Sequence, residues 1–267
     1  MSRTAPFDAD DALRLAQVAL MVARQAGALA LSGYRKPHRI TEKGEKDLVT
    51  EFDLSTERLV RELLSKQTPQ IPVFGEEEGG NVGEGPVWYC DPIDGTANYA
   101  HGHPFWAVSI GLMSASRALL GAVTAPALGI EWHGVAEQCA YRNAEPCRVS
   151  RRTDFGSALV ATGFPRKRDA APDNNFDSFI AVKKRVQGVR RCGSASIDVC
   201  LVADGTYDAF WERKLSTWDL AAGVAIALGA GAQVTDLAGG APDLSNGHVV
   251  VSNAHLHAHL LRVLAAD

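Results

Sequence analysis

Apolar residues recur at helical spacing from residue 10 to about residue 34, at Leu13, Ala16, Leu20, Ala23, Gly27 and Ala30, with Asp8 or Asp10 placed to cap the first turn. This predicts a long amphipathic helix. A second helix is predicted over about 53–66: Leu59, Val60, Leu63 and Leu64 form one stripe, and Glu57, Arg58, Arg61 and Glu62 face outward. A short apolar strand follows over 71–74. Between residue 87 and about 141 the pattern shortens to β-type runs over 87–90, 105–113, 119–124, 131–136 and 139–141. Gly and Pro punctuate these runs, which suggests a largely antiparallel sheet.

After about residue 149 strand patterns (158–162, 189–192, 207–211, 233–236, 248–252) alternate with helical ones (175–186, 194–203, 218–229, and a last helix from 255). No repeat or low-complexity linker interrupts them. The pattern predicts two closely packed subdomains, residues 1–150 of α+β type and residues 151–267 of α/β type, with an active site between them.

Composition narrows the function classes. A chain of 267 residues with 46% hydrophobic content can bury a sizeable core without staples. Its 27 Lys and Arg against 31 Asp and Glu, a net charge of -4, give no footprint for nucleic acid or an anionic membrane. Five cysteines, odd in number and without CxxC spacing, argue against a disulfide framework and a structural zinc site and fit a reducing cytoplasm. Asp8, Asp10 and Asp11 stand where a secretory signal needs basic residues, and the longest uncharged run, 220–234, is shorter than the roughly 20 residues of a membrane-spanning helix.

Four segments share one design, an apolar strand or turn ending at an acid: LVTEFD, VFGEEEGG, VWYCDPIDGTAN and STWDLAAG. In the third, Asp91 and Asp94 are expected to emerge from a strand on a turn fixed by Pro92, and Gly95 and Thr96 to open a helix or nest suited to phosphate. Taken singly, these are an Asx-type turn at Asp91 and Asp94, a solvated charge run at 76–78 and a helix N-terminal charge at Asp219. Converging, ionised carboxylates repel, so a shared site needs a cation. All-oxygen ligands favour Mg²⁺ or Ca²⁺ over zinc, and phosphate chemistry favours Mg²⁺.

With GEE at Glu76, DPIDGTAN at Asp91, GSAS at Gly193 and WDLAAG at Trp218, in that order and spacing, the chain resembles the inositol monophosphatase family of fructose-1,6-bisphosphatase-like sugar phosphatases. The resemblance spans nearly the whole chain. It implies a layered αβαβα sandwich and a Mg²⁺-dependent, lithium-sensitive phosphomonoester hydrolase, homodimeric, acting on inositol monophosphate or a similar small polyol phosphate. It further implies that Glu76, Asp91 and the backbone carbonyl of Ile93 hold one Mg²⁺, that Asp91, Asp94 and Asp219 hold a second, and that a third, weaker ion binds near Glu76. Asp53 and Thr96, with Glu76, would activate the attacking water. Gly95 and Thr96 would bind phosphate, and Asp94, Ser194, Ala195, Glu212 and Asp219 would contact substrate hydroxyls or the leaving oxygen. Ser194 and Ser196 depart from the Thr and second Ala common in the family, which leaves substrate range more open than chemistry. Lys43 stays a surface lysine or a metal-site one.

Other features read as structural. His101 and His103 are placed at a substrate rim or in the framework, because histidine ligands belong with softer metals. His255, His257 and His259 are placed on a solvated helix, the basic segments 166–168 and 183–185 with Arg190 and Arg191 on the surface, and Trp88, Trp106, Trp132 and Trp211 in the core. Histidinol phosphate, fructose 1,6-bisphosphate and 3′-phosphoadenosine 5′-phosphate are the alternative substrates. Aspartyl-phosphate phosphatases of the haloacid dehalogenase type place their two aspartates two apart, whereas Asp91 and Asp94 are three apart. A non-enzymatic regulator on the same fold is the remaining alternative.

Overall fold

The computed structural model describes residues 7–37, 39–44, 47–83, 85–165 and 174–265, without the side chains of residues 43, 44 and 47. Lys43 and the basic segment 166–168 therefore lie outside what is described. In chain order the elements are α1 (Ala9–Gly33), β1 (Ile40–Gly44), β2 (Asp47–Thr50), α2 (Glu51–Gln67), β3 (Val73–Gly75), β4 (Pro86–Asp94), α3 (Thr96–Ala100), β5 (Ala107–Ser114), β6 (Arg117–Ala125), β7 (Ile130–Val135), β8 (Cys139–Arg142) and β9 (Glu145–Pro146). Then come β10 (Leu159–Thr162), α4 (Phe176–Lys183), β11 (Gly188–Arg190), α5 (Ala195–Ala203), β12 (Ala209–Glu212), α6 (Thr217–Gly229), β13 (Gln233–Thr235), β14 (Val249–Ser252) and α7 (Ala254–Ala265).

Strands β3 to β9 form one seven-stranded sheet in sequence order, antiparallel except for the parallel β3–β4 pair. A second, five-stranded sheet runs β11-β10-β12-β14-β13 and mixes parallel with antiparallel pairs. Helices α1 and α2 cover the outer face of the first sheet, and α4 and α7 pack together on the second. Between the sheets lie α5, buried on every residue, and α6, buried from Leu220 to Ala227, both largely apolar as a layer with two apolar neighbours demands. The result is the five-layered αβαβα sandwich. Trp88, Trp106, Trp132 and Trp211 are all fully buried.

α1 is capped by Asp8, whose side chain accepts from the Asp11 amide at 2.8 Å. With 25 residues it is long and apolar enough to cross a membrane by length and composition, yet half of its apolar window is buried within the fold.

Two local expectations are corrected. Periodicity turns Glu57 outward, but the structure buries it completely. Its carboxylate lies over Gly75, where a Cβ would come within 2.2 Å, and accepts from Arg61 and from the amides of Glu77 (2.7 Å) and Glu78 (3.0 Å). His257 is likewise buried, between Thr235 Oγ1 (2.9 Å) and Ser252 Oγ (2.8 Å), while His255 and His259 face outward.

Candidate active site

β4 does not turn at Pro92. The strand continues to Asp94, and its pairing with β5 shifts register between Asp91 and Asp94. Pro92 has no N–H to give a ladder, so this irregularity is where a central strand can hold it. Asp91 Oδ1 accepts the Ile93 amide at 3.0 Å, an Asx-type contact inside the strand end.

Asp219 arrives from α6. Ser216 caps that helix, and Asp219, at the third helical position, accepts the Ser216 amide at 2.7 Å in a capping box. Trp218 beside it stacks on Phe74 of β3, ring centroids 5.9 Å apart, which fixes the start of α6 against the first sheet. Asp91, Asp94 and Asp219 each bring one carboxylate oxygen within 4.8 Å of the others. Glu76 lies just after β3 in the loop that Glu57 grips, with its amide on the Cys90 carbonyl at 3.1 Å, and lines the same cavity.

Burial, then the charges of Glu76, Asp94 and Asp219, push the Asp91 carboxyl well above the usual range. Asp94 is also raised by burial, against the pull of the Ser196 and Ser194 hydroxyls. Ser194 Oγ (2.7 Å), the Ser196 amide (2.7 Å) and Ser196 Oγ (2.5 Å) all donate to Asp94 Oδ2, so the serines of the GSAS segment hold a carboxylate. Four acids crowded at one cavity in a setting that disfavours their charge, with oxygen donors only, suit a hard divalent cation.

Thr50 caps α2 two residues earlier than the periodicity places its start. Asp53 closes that capping box, accepting the Thr50 amide at 2.7 Å on Oδ2. Its other oxygen, Oδ1, faces Thr96 Oγ1 at 3.1 Å, so the expected Asp53–Thr96 pair is formed. Gly95, at φ 95°, precedes α3; a Cβ there would meet the Gly193 carbonyl at 3.0 Å. Asn98 ties α3 to the same segment by donating to the Phe105 (2.6 Å) and Cys192 (2.8 Å) carbonyls.

Glu76, Asp91, Ile93, Asp94, Gly95, Thr96, Asn98 and Asp219 line a cavity of about 810 Å³, with Ser194 and Ala195 on one wall and Glu212, at the end of β12, on another; Asp53 reaches it only through Thr96. Burial drives the Glu212 carboxyl up to about 8; Arg191 opposes the shift, and Asp219 and Asp94 add to it. Asn175 props this wall, donating to the Gly163 carbonyl at 2.6 Å and accepting from Trp211 Nε1 at 2.8 Å. His101 and His103 are exposed beside α3, and neither is among the residues lining the cavity. Lys183, Lys184, Arg185 and Arg190 are exposed as expected, while Arg191 reaches the cavity.

Two residues of the site have no place in the motif blocks. Glu57 shapes the Glu76 loop, held by Arg61 one turn on and by amide donors 20 and 21 residues away. Asp198 lines the cavity from α5, and its signal was available: it is the lone charge in the otherwise uncharged helix ASIDVCLVA.

The chain matches the inositol monophosphatase family over residues 11–266. It is 36% identical over 264 residues to an inositol-1-monophosphatase of Synechocystis, covering 98% of this chain and 91% of that one. It is 37% identical over 255 residues to the Nus factor SuhB of Pseudomonas aeruginosa, covering 92% and 94%. The solved structure of an inositol monophosphatase from Anabaena superposes with a TM-score of 0.88 at 34% identity, covering 96% of this chain and 97% of that one. The chain belongs to the inositol monophosphatase family, and its enzyme class is that of a phosphoric monoester hydrolase.

Proposed function

We propose that the chain is a Mg²⁺-dependent phosphatase of inositol monophosphate or a similar small polyol phosphate. The observation that carries this reading is the meeting of Asp91, Asp94 and Asp219 within 4.8 Å at a cavity that Glu212 also lines. Glu76, Asp91 and the Ile93 carbonyl would hold one ion, Asp91, Asp94 and Asp219 a second, and a third would bind weakly near Glu76. When bound, Mg²⁺ supplies Lewis acidity towards the phosphoryl oxygens and acidifies an attacking water.

The chain's own groups do the rest. Thr96 Oγ1, 3.1 Å from both Asp53 Oδ1 and the Ile93 carbonyl, would orient the water through a lone pair and take up its proton while passing its own to Asp53. Asp53 is held for that task by the capping box of α2. Backbone N–H groups at Gly95 and Thr96 bind phosphate oxygens. Ser194 and Ser196 keep Asp94 turned to the cavity, while Ser194, Ala195 and Glu212 receive the alcohol. Water attacks phosphorus directly, without a phosphoenzyme, as the phosphorus–oxygen ester bond breaks, and the departing alkoxide takes a proton from solvent water to leave as the alcohol.

The test is steady-state kinetics over inositol, sugar, nucleotide and amino-alcohol phosphates, each with Mg²⁺ and with a chelator. A rate on inositol 1-phosphate that vanishes in chelator is the expected result; preference for histidinol phosphate, fructose 1,6-bisphosphate or 3′-phosphoadenosine 5′-phosphate would move the substrate assignment. No Mg²⁺-dependent turnover of any of them would sink the reading. The similarity to a Nus factor favours a second one, a regulatory binding role on the same surface or another, which retention of every expected carboxylate makes additional to catalysis. A homodimer in the cytoplasm accompanies the proposal, in keeping with five free thiols.

A further inference from the structure

Asp198 sits one helical turn below Ser194 on α5, and residues four apart share a helix face. Its side chain lines the same cavity as Glu212 and Arg191 yet is only 2% exposed. Among the described residues no donor reaches its Oδ1. A buried carboxylate oxygen without a partner is costly, and native structures keep one chiefly where a ligand or water completes it. Glu57, Asp204 and Asp208, the other deeply buried acids away from the metal-side cluster, are each held by two or more donors. Asp198 differs from them in facing the cavity.

We propose that Asp198 is a specificity-determining residue that accepts a hydrogen bond from a hydroxyl of the bound phosphate ester beside the hydroxyl taken by Glu212, so that the site selects a leaving alcohol carrying two neighbouring hydroxyls. The inference rests on the phosphatase reading above and deepens it, from a polyol to a polyol with a vicinal diol. Two acceptors on one cavity suit neutral hydroxyl donors, and Arg191 on the same cavity offsets part of their charge. Among the described residues nothing donates to Asp198 Oδ1, so a hydroxyl arriving there displaces no existing partner.

The experiment compares wild type with Asp198→Asn and Asp198→Leu on inositol 1-phosphate and on 4-nitrophenyl phosphate, an ester without neighbouring hydroxyls, both with Mg²⁺, alongside thermal melting without substrate. The ratio of kcat/KM between the two esters should fall about tenfold or more in both variants, mostly through KM. Melting temperature should hold or rise in Asp198→Leu, because a buried carboxyl whose Oδ1 has no donor is replaced by an apolar group of similar size. An unchanged ratio overturns the proposal, and so do parallel losses on both esters with lowered melting temperatures, which mark a structural role. Wild-type protein that hydrolyses neither ester overturns the phosphatase reading and this inference with it; wild type active on both, with the ratio unmoved, overturns the inference alone.

Discussion

The Glu212 carboxylate lies against the α-carbon of Gly163, so closely that a Cβ added there would stand 2.1 Å from Oε1. Glycine at 163 is therefore part of how β10 and β12 aim an acid from the second sheet into the cavity. Gly163→Ala should displace Glu212 and lower kcat/KM for inositol 1-phosphate by about tenfold to a hundredfold, the span of roughly 1–3 kcal/mol for a misplaced contact. Kinetics on both inositol and aryl phosphate test this: equal losses on the two would remove Glu212 from alcohol recognition.

The pH dependence of the metal-free protein follows from the same acid. A carboxyl at about 8 in the folded state, against roughly 4.3 when unfolded, keeps its proton in the fold while the unfolded chain has released it. Between those values the folded state binds more protons, so stability falls as pH rises and levels off above about 8. The slope should approach about 1.4 kcal/mol per pH unit from this group, with Asp91 and Asp198 acting in the same direction. Urea denaturation in chelator should show the decline, and Glu212→Gln should flatten part of it. A stability that rises with pH through this window would contradict the burial of these acids as protonated groups.

Asp94→Asn should separate metal charge from packing. Its amide oxygen can still accept from Ser194 and Ser196, and one of several crowded negative charges disappears. Melting temperature in chelator should hold or rise, the increase caused by Mg²⁺ should shrink, and kcat should fall by about a hundredfold or more. Normal turnover with normal Mg²⁺ dependence would take Asp94 out of the site.

Glu57→Gln should act at a distance. The amides of Glu77 and Glu78 and the Arg61 guanidinium lose a charged acceptor, so the loop carrying Glu76 loosens. The Mg²⁺ concentration for half activation should rise about tenfold to a hundredfold, the usual effect of losing a partner behind a metal ligand. Mg²⁺ titration of activity decides it, and an unchanged midpoint would confine Glu57 to stability.

Much of the fold was legible because apolar spacing writes helices and strands directly, and α1, the β5–β8 meander and α6 all follow it. The β1–β2 hairpin escaped notice because ITEKGEKDLVT is mostly charged and polar and shows no buried face. Asp91, Asp94 and Asp219 were legible through their flanking motifs. Glu57 was not, since two of its donors lie 20 and 21 residues away, and Asp198, though marked as the lone charge of its helix, carries a role that appears only when α5 is seen to border a cavity.

The middle layer has a further consequence for motion. Ser194 and Ser196, which hold Asp94, start α5, and half-buried Asp219 starts α6, two helices whose following turns are clamped between both sheets. Opening those turns means parting the sheets, so their backbone amides should exchange with solvent only on the timescale of whole-molecule unfolding. The carboxylate cluster is thereby insulated from the breathing of exposed segments such as the cavity rim at Lys214.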